Sequence, residues 1–299
     1  MDMFSDVPAF VAAVEAGSFA AASRELGLSR SAVGKAVARL EDRLGVRLFR
    51  RTTRSQSLTD DGQAFYERCQ RALEQLRDGT ALMESGHKTA SGKLRASMPV
   101  LFGRLRIVPL LMRLAGIYPE LEFDLSFSDR HVDLVEDGFD LAIRNGPLRD
   151  SASLVSRRIA RQWTMVYAAP TYIERHGAPQ TLEDLANHQA VAYARSGRLH
   201  AWQFPREGGT VEERTPPTRL RFDDLGAVAD ATMAGFGLGW LPDWLVLEQV
   251  RSGLLIQVLQ SAPSLVTDIY AIWPETPYLP TRVRVTVDAI SEGLSGTTV

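Results

Sequence analysis

The first ninety residues repeat apolar positions at helical spacing. Val7, Phe10, Val11 and Val14 recur every three or four residues and predict a helix over about residues 5–16. With Ser5 as its N-cap, Pro8 falls in the first turn, where no amide donor is needed, and Gly17 ends the element. Ser18 caps a second predicted helix, about residues 19–26, whose alanine-rich face permits close packing, and Gly27 supplies the turn. Ser29 caps a third, residues 30–44, which Gly45 closes. Its inward face is Val33, Val37, Leu40 and Leu44; its outward face is Arg30, Ser31, Gly34, Lys35 and Arg39.

Thr59, followed by Asp60 and Asp61, opens a long helical pattern that runs to about residue 87. Phe65, Cys69, Ala72, Leu76 and Met83 sit on it at near-heptad spacing, and Leu73 broadens the stripe. A lone helix of this length cannot bury such a stripe, so a partner subunit's helix covers it or it packs onto its own body. Cys69 lies on the stripe and reads as a small buried residue. Residues 88–92 then break the helix as a hinge.

Beyond residue 92 strand and helix patterns alternate. Residues 94–98, 121–127, 140–144, 163–168, 238–241 and 266–273 read as strands. Helices are expected over 100–114, 132–137, from Asp224 to Ala234, and over 245–251. Repeated βα units predict parallel sheets with helices on both faces and a ligand crevice at the carboxyl ends of the strands.

The chain has 299 residues, enough for two domains with their own cores, and its 45% hydrophobic and 23% charged content is ordinary for a globular protein. A net charge of -2 hides an asymmetry: residues 24–57 hold nine Arg/Lys against three acids. A single cysteine excludes an intrachain disulfide, and the scattered histidines have no cysteine partners, so no metal site and no cofactor are expected. The acidic start lacks a basic n-region and no apolar run reaches about 20 residues, so a cytoplasmic protein with no membrane contact is expected.

Three functional readings compete. A basic helix face alone is as readily a solvated surface. Here the Gly-Leu-Ser turn, both caps and the basic stretch Arg50, Arg51, Thr52, Thr53, Arg54 agree on a helix-turn-helix DNA reader with a wing. Arg30, at the exposed start of the third helix, is placed for a base edge, while Lys35 and Arg39 suit phosphates. An enzyme would need a nucleophile elbow or metal cluster, and neither pattern occurs. The string Gly235-Phe236-Gly237-Leu238-Gly239 superficially matches a nucleotide loop but lies between helix and strand, the reverse of the order such a loop needs. A transport solute-binding protein would not carry a DNA reader.

Ser18-Phe19, Ala21-Ala22, Leu26, Ser31-Ala32-Val33, Leu40-Glu41, Leu44-Gly45, Leu48-Phe49, Arg51 and Leu58-Thr59 with Gly62 resemble the winged helix-turn-helix of LysR-type transcriptional regulators. Gly34 departs from the family's frequent serine. PELEFDLSFSDRHVDLVEDGFDLAIRNGPL, APTYIERHG and GAVADATMAGFGLGWLP resemble the family's effector-binding domain. The resemblance implies an α/β fold class. It comprises an N-terminal all-α winged helix-turn-helix (1–58), a long linker helix and hinge (59–91), and a C-terminal two-lobed α/β effector-binding domain (92–299) like a periplasmic binding protein. The lobes would be 92–161 with 268–299, and 162–267, crossing near Arg161–Gln162 and Thr267.

The resemblance also implies a non-enzymatic regulator that binds a double-stranded DNA operator and answers to a small-molecule effector. It would pair through the linker-helix residues Phe65, Cys69, Ala72, Leu73 and Leu76 as a dimer and then a tetramer, with RNA polymerase as a further contact. DNA contacts map to Ser18, Ser29, Arg30, Ser31, Gly34, Lys35, Arg39, Arg50, Arg51, Thr52 and Arg54. The effector cleft maps to Ser97, Pro99, Val100, Ser128, Asp129, Arg144, Gly146, Tyr193, Arg195, Trp202 and Asp223. A small anion such as a carboxylate suits Ser97, Ser128 and Arg144, although Arg144 equally serves as a brace for Asp129 or Asp140, and Trp202 equally serves as core or as cleft wall.

Overall fold

The computed structural model describes residues 5–51, 56–84, 90–130, 132–148, 151–195 and 197–295. The chain divides into two compact units, Met1–Gly92 and Lys93–Val299. In the first, α1 (Val7–Glu15), α2 (Phe19–Glu25) and α3 (Arg30–Leu44) precede a two-stranded wing, β1 (Phe49–Arg51) and β2 (Gln56–Leu58), and then α4 (Asp60–Glu84). Ser18 and Ser29 cap α2 and α3 by accepting the Ala21 and Ala32 amides, each at 3.1 Å. Gly45 ends α3 at φ 70°, a conformation that costs other residues strain. Ser5 does not cap α1; the capping position is Asp6, whose side chain bonds elsewhere. Phe10, Ala22, Val33, Leu40 and Leu48 are buried in one core, with Phe10 and Phe49 in edge-to-face contact at 5.6 Å.

Thr59 caps α4, accepting the Gly62 amide at 2.9 Å and donating its hydroxyl to the Arg47 carbonyl at 2.6 Å. A Cβ on Gly62 would stand 2.0 Å from the Leu48 carbonyl oxygen, so only glycine lets α4 start this close to the wing. The helix's apolar stripe divides. Cys69 is buried in the N-terminal core, and Phe65, Tyr66 and Leu73 pack against it. Ala72 is exposed and Leu76 is 62% exposed. The first half of the stripe therefore packs onto its own body, and only the second half is left for a partner. The side chain of Met83 and residues 85–89, including the first two residues of the expected hinge, lie outside the described residues.

The second unit is built on one mixed sheet. Its strands are β3 (Gly92–Met98), β4 (Leu121–Phe127), β5 (Leu141–Asn145), β6 (Leu154–Ala168), β7 (Ala190–Arg195), β8 (Arg198–Leu199), β9 (Trp202–Pro205), β10 (Val211–Arg214), β11 (Thr218–Phe222), β12 (Leu238–Pro242), β13 (Ile256–Val258) and β14 (Leu265–Pro274). The helices are α5 (Val100–Phe102), continued through a π-turn at Gly103–Ile107 into α6 (Val108–Ile117), then α7 (Pro170–His176), α8 (Leu225–Met233), α9 (Asp243–Arg251) and α10 (Thr281–Ser295). The strand order is β11-β7-β12-β6-β14-β5-β3-β4, while β9 and β10 form a separate hairpin.

The sheet is parallel only within each lobe: β11 with β7 and β7 with β12 in one, β3 with β5 in the other. Antiparallel β6 and β14 join the lobes, which corrects the expectation of purely parallel sheets. Gln162 pairs with Thr267 and Arg161 with Asp268. Alternation along β6 builds two cores, with Val166 and Ala168 facing Leu238 on one side and Tyr167 facing Val191 and Leu241 on the other.

Three local expectations fail. Residues 132–137 form turns, not a regular helix: the Asp133 carboxylate accepts the Val135 and Glu136 amides at 3.0 and 2.9 Å as an N-cap would, and the Asp137 amide bonds the Asp133 carbonyl at 2.9 Å, but the turn is not propagated past Gly138, which has φ 70°. β6 begins nine residues earlier than its apolar segment, carried through Arg157, Arg158 and Arg161 by pairing to β14. The C-terminal α10, which buries Val283, Val287, Ile290 and Leu294, was not anticipated at all.

Candidate nucleic-acid interface and effector pocket

The outward start of α3 is the candidate DNA surface. Arg30, Ser31 and Lys35 are exposed. Ser31 and Ser29 hydroxyls lie 3.0 Å apart at the helix N-terminus, where the dipole and free amides favour a phosphate. The Ser18 and Ser29 oxygens each accept one cap amide, and Ser29 also shares a hydrogen bond with Ser31. A Cβ at Gly34 would meet only Phe19, at 3.9 Å. Nothing inside the unit therefore demands glycine there.

Arg39 departs from its expected role. Its guanidinium donates to the buried Asp6 carboxylate at 2.5 Å, and Arg43 bonds the other oxygen. Asp6 thus ties α1 to α3, and Arg39 is first a brace. In the wing, Arg50 is exposed and pairs with Asp60 at 3.2 Å. Thr52, Thr53 and Arg54 lie outside the described residues, as does the side chain of Arg51.

Glu41 is the residue that sequence reading missed. Its buried carboxylate accepts the Leu48 and Phe49 amides at 2.8 and 3.1 Å and pairs with Arg47 at 2.8 Å. Burial pushes its pKa up, but these three donors outweigh burial and hold it below the usual glutamate value. Glu41 therefore fixes the first wing strand to the end of α3. The signal was its place four residues after Val37, on the inward face. Burial pushes the Cys69 thiol up to about 11, as befits an inert packed residue.

The effector candidates fall into two groups. In one lobe Ser97 is fully buried, and Arg144 donates to its hydroxyl at 2.7 Å, to its carbonyl at 3.1 Å and to the Ile143 carbonyl at 2.6 Å. Arg144 thus braces the end of β3; burial pushes its pKa down, while the nearby Asp129 carboxylate favours its charged form. Asp140 instead holds Arg282, at 3.2 Å. Pro99 stands at the head of α5; the Val100 amide donates to Asp129 at 3.2 Å, and Ser128 accepts the Arg130 amide at 3.2 Å. Gly146 donates to the Asp268 carbonyl at 3.0 Å, and Asp223 is exposed ahead of α8. Arg195 links the lobes by donating to the Asp129 carbonyl at 2.9 Å.

The second group lies around a real cavity. β7 and β12 pair only at Ala190–Leu238 and Val191–Gly239. A pocket of about 180 Å³ is lined by Val191 and Tyr193 from the first of these strands and by Trp240 and Pro242 from the second. The crossing strands add Gln162, Thr164, Leu265 and Thr267; His200, Trp202 and Leu225 complete the lining. Tyr193 packs on His200 at 5.0 Å, and burial pushes its phenol pKa up. Trp202 is 3% exposed and serves as both core and pocket wall. Beside the crossing, Phe102 meets Trp244 edge-to-face at 5.1 Å, and the Trp244 indole donates to Gln162 at 2.8 Å.

Among the described residues no group of His, Cys, Asp and Glu could hold a metal ion, and no helix is long and apolar enough to cross a membrane. Residues 4–63 match the bacterial regulatory helix-turn-helix protein, lysR family, and residues 87–295 match the LysR substrate binding domain. The HTH-type transcriptional repressor PA14_22550 of Pseudomonas aeruginosa is 34% identical, over 98% of this chain and 92% of its own. The solved structure of CrgA, a LysR-type transcriptional regulator from Neisseria meningitidis, superposes with a TM-score of 0.62 at 29% identity, covering 97% of this chain and 98% of that one. The full-length virulence activator AphB of Vibrio cholerae gives 0.61 at 28% identity, with 100% of both chains covered.

Proposed function

The chain belongs to the LysR family and is a sequence-specific DNA-binding transcriptional regulator controlled by a small-molecule effector, and on that premise we propose which of its residues do this work. The family is one of regulators, not enzymes. The observation that carries the DNA assignment is the capped, exposed, basic start of α3. Arg30 reads a base edge in the major groove, with guanine the geometrically preferred partner. Ser31, Lys35 and the hydroxyls of Ser18 and Ser29 hold phosphates, and Gly34 lets the DNA backbone come close. Arg50, Arg51, Thr52 and Arg54 form the wing contact. Arg39 joins them only secondarily, since Asp6 holds it.

The protein works as a dimer paired along the exposed half of α4, through Ala72 and Leu76, with two dimers making a tetramer. At a promoter it contacts RNA polymerase. The effector sits in the pocket at the lobe crossing, with Tyr193 and Trp202 as its aromatic wall. Three of the five Arg144 N–H donors already serve Ser97 and Ile143, and Ser97 is fully buried, so the effector is placed instead on the far side of the crossing. Val100, Asp129 and Arg195 stand at the lobe junction and pass on its arrival: ligand favours one lobe arrangement, and that population shift biases the DNA units.

Mapping the sites bound by the full chain across its source genome tests the reading. Discrete sites are expected, and their footprints should shift when extracts of the producing cell are added. Leu265→Trp, which fills the pocket, should bind the same sites without the shift. Binding spread evenly over random DNA would overturn the DNA assignment, and an unchanged shift in Leu265→Trp would overturn the pocket.

A further inference from the structure

Ser31, Lys35 and Arg39 stand about one turn apart on α3 and so share one face of the helix. Ser31 and Lys35 are exposed on that face. Arg39, next in the row, is turned aside. Its Nη2 donates to one Asp6 oxygen at 2.5 Å and its Nε to the other at 3.4 Å, and Arg43 bonds that second oxygen as well. The Asp6 side chain is 4% exposed, against 56% for Arg39 and 31% for Arg43. The carboxylate is a buried anion covered by two cations that lie nearer the surface.

Two features set this carboxylate apart. Asp6 occupies the N-cap of α1, where an aspartate normally accepts an amide of the first turn, yet its side chain makes no such bond. It serves α3 instead. The cation it takes is also the one placed to continue the row after Lys35, where a helix docked on a duplex gains from each phosphate it neutralises. For a phosphate to claim Arg39, the guanidinium would have to leave a buried carboxylate that water does not reach, which opposes the exchange. Two guanidiniums and one carboxylate together present a single net positive charge instead of two.

We propose that Asp6 is a specificity-determining residue that does not touch DNA: it withholds Arg39 from the phosphates and keeps sequence-independent binding weak, so that the Arg30 base contact decides where the protein settles. The proposal rests on the DNA face assigned to α3 above. Every duplex offers the same phosphates, so an arginine released from Asp6 strengthens binding to any sequence. A specific site gains less. The same bonds tie α1 to α3 and hold the reading helix at the angle that a base contact requires, and random DNA makes no such demand.

Salt titrations of binding by the full chain, on a duplex carrying one of the sites mapped as above and on its scrambled counterpart, test the proposal. Asp6→Asn keeps the shape and an acceptor oxygen while removing the charge. Affinity for the scrambled duplex should rise roughly five- to tenfold at about 0.1 M salt, with a salt slope steeper by about 0.9, the signature of one more phosphate neutralised. Affinity for the mapped site should rise less, so the ratio between the two duplexes falls. Arg39→Ala in the parent should leave the slope on the scrambled duplex unchanged, and in Asp6→Asn it should abolish the gain. A slope lowered by about one in Arg39→Ala alone would show Arg39 already on a phosphate and overturn the proposal, a result that does not depend on whether Asp6→Asn folds. An Asp6→Asn chain that melts cooperatively but keeps the parent's slope or ratio would overturn it too, leaving Asp6 a fold brace only. Arg30→Ala separates the two levels. If it erases the preference for the mapped site while Asp6→Asn changes nothing, the DNA face stands and this proposal alone falls. If it leaves the preference intact, the DNA face of α3 falls, and the proposal with it.

Discussion

In the N-terminal unit the side chains assigned to function point outward. Arg30, Ser31 and Lys35 are exposed on α3, and other groups hold the unit together: Asp6 bonds Arg39 and Arg43, Glu41 bonds Arg47 and the Leu48 and Phe49 amides, and Ser29 caps α3. In the C-terminal unit the relation is inverted. Ser97 and Arg144 are engaged with each other, and the working surface is the space left by diverging strands, walled by Tyr193, Trp202 and Trp240. A surface that meets a charged polymer is served by exposed cations, whose neutralised phosphates release counterions. A site for a small molecule is served by a dry, shaped cavity with few polar groups. On the proposed assignments, charge in the sequence marks the site in the first unit and not in the second.

The largest effect should come from the residue that belongs to neither pattern. Leu76, on α4, is 62% exposed. Leu76→Asp should leave each unit folded and convert the oligomer to monomer in sedimentation at micromolar concentration, with at least about a hundredfold loss of operator affinity, because a charge buried in a helix seam costs several kcal/mol. An intact oligomer would place the seam elsewhere.

Glu41→Gln should be next. It keeps the shape but removes the charge that the Leu48 and Phe49 amides and Arg47 satisfy, and should cost about 1–3 kcal/mol in a denaturant melt of the N-terminal unit. The pH dependence has a definite sign. Glu41 is held below its ordinary pKa, so its contribution is fully present above the unfolded value and is lost as pH falls through the folded one. Parent and variant should therefore converge in acid. A gap that stays constant with pH would mean that the charge is not what holds the wing.

Arg30→Ala should cost about 1–3 kcal/mol in specific binding and relax base preference at one position per half-site, while leaving the melt unchanged. Arg50→Ala should instead weaken specific and random DNA alike and lower the salt slope by about one. Equal losses on both kinds of DNA for Arg30→Ala would demote it to a phosphate contact.

The inversion between the units also explains what was legible in the chain. α3 appears at the predicted residues because its limits are local: Ser29 at one end, Gly45 at the other. The exposed residues proposed to face DNA follow from helical periodicity alone. β6 was only half visible, since Arg157, Arg158 and Arg161 make its first half look like loop until β14 pairs with it. α10 carries a local signal, with Val283, Val287, Ile290 and Leu294 spaced by four, three and four. The pocket is a different matter. Gln162, Val191, Trp240 and Leu265 lie on four strands, and no local pattern brings them together. Family resemblance reached Tyr193 and Trp202 but not Trp240.

In the C-terminal unit, Ser97→Ala should act as a structural change. It removes the hydroxyl that receives Arg144 and should cost about 1 kcal/mol of stability with little effect on effector affinity. A shifted effector titration with an unchanged melt would return Ser97 to the ligand.

The smallest effect, and the sharpest test of the outward-facing unit, is at Gly34. A glycine inside a helix costs roughly 0.5–1 kcal/mol relative to alanine, and the space beside it is open, with Phe19 at 3.9 Å the only neighbour an added Cβ would meet. The unit alone would therefore be more stable with alanine, and Gly34→Ala should raise its unfolding midpoint. If the glycine serves the partner instead, the same substitution should weaken operator binding, because the added methyl stands where the DNA backbone approaches. The two measurements should move in opposite directions: stability up by about 0.5–1 kcal/mol, affinity down by a comparable amount. Gly34→Ser should show the same gain in smaller measure, since serine is a poorer helix former, and should recover part of the affinity through its hydroxyl. Stability and affinity rising together would show that nothing comes close to Gly34, and would confine the interface to Arg30, Ser31 and Lys35.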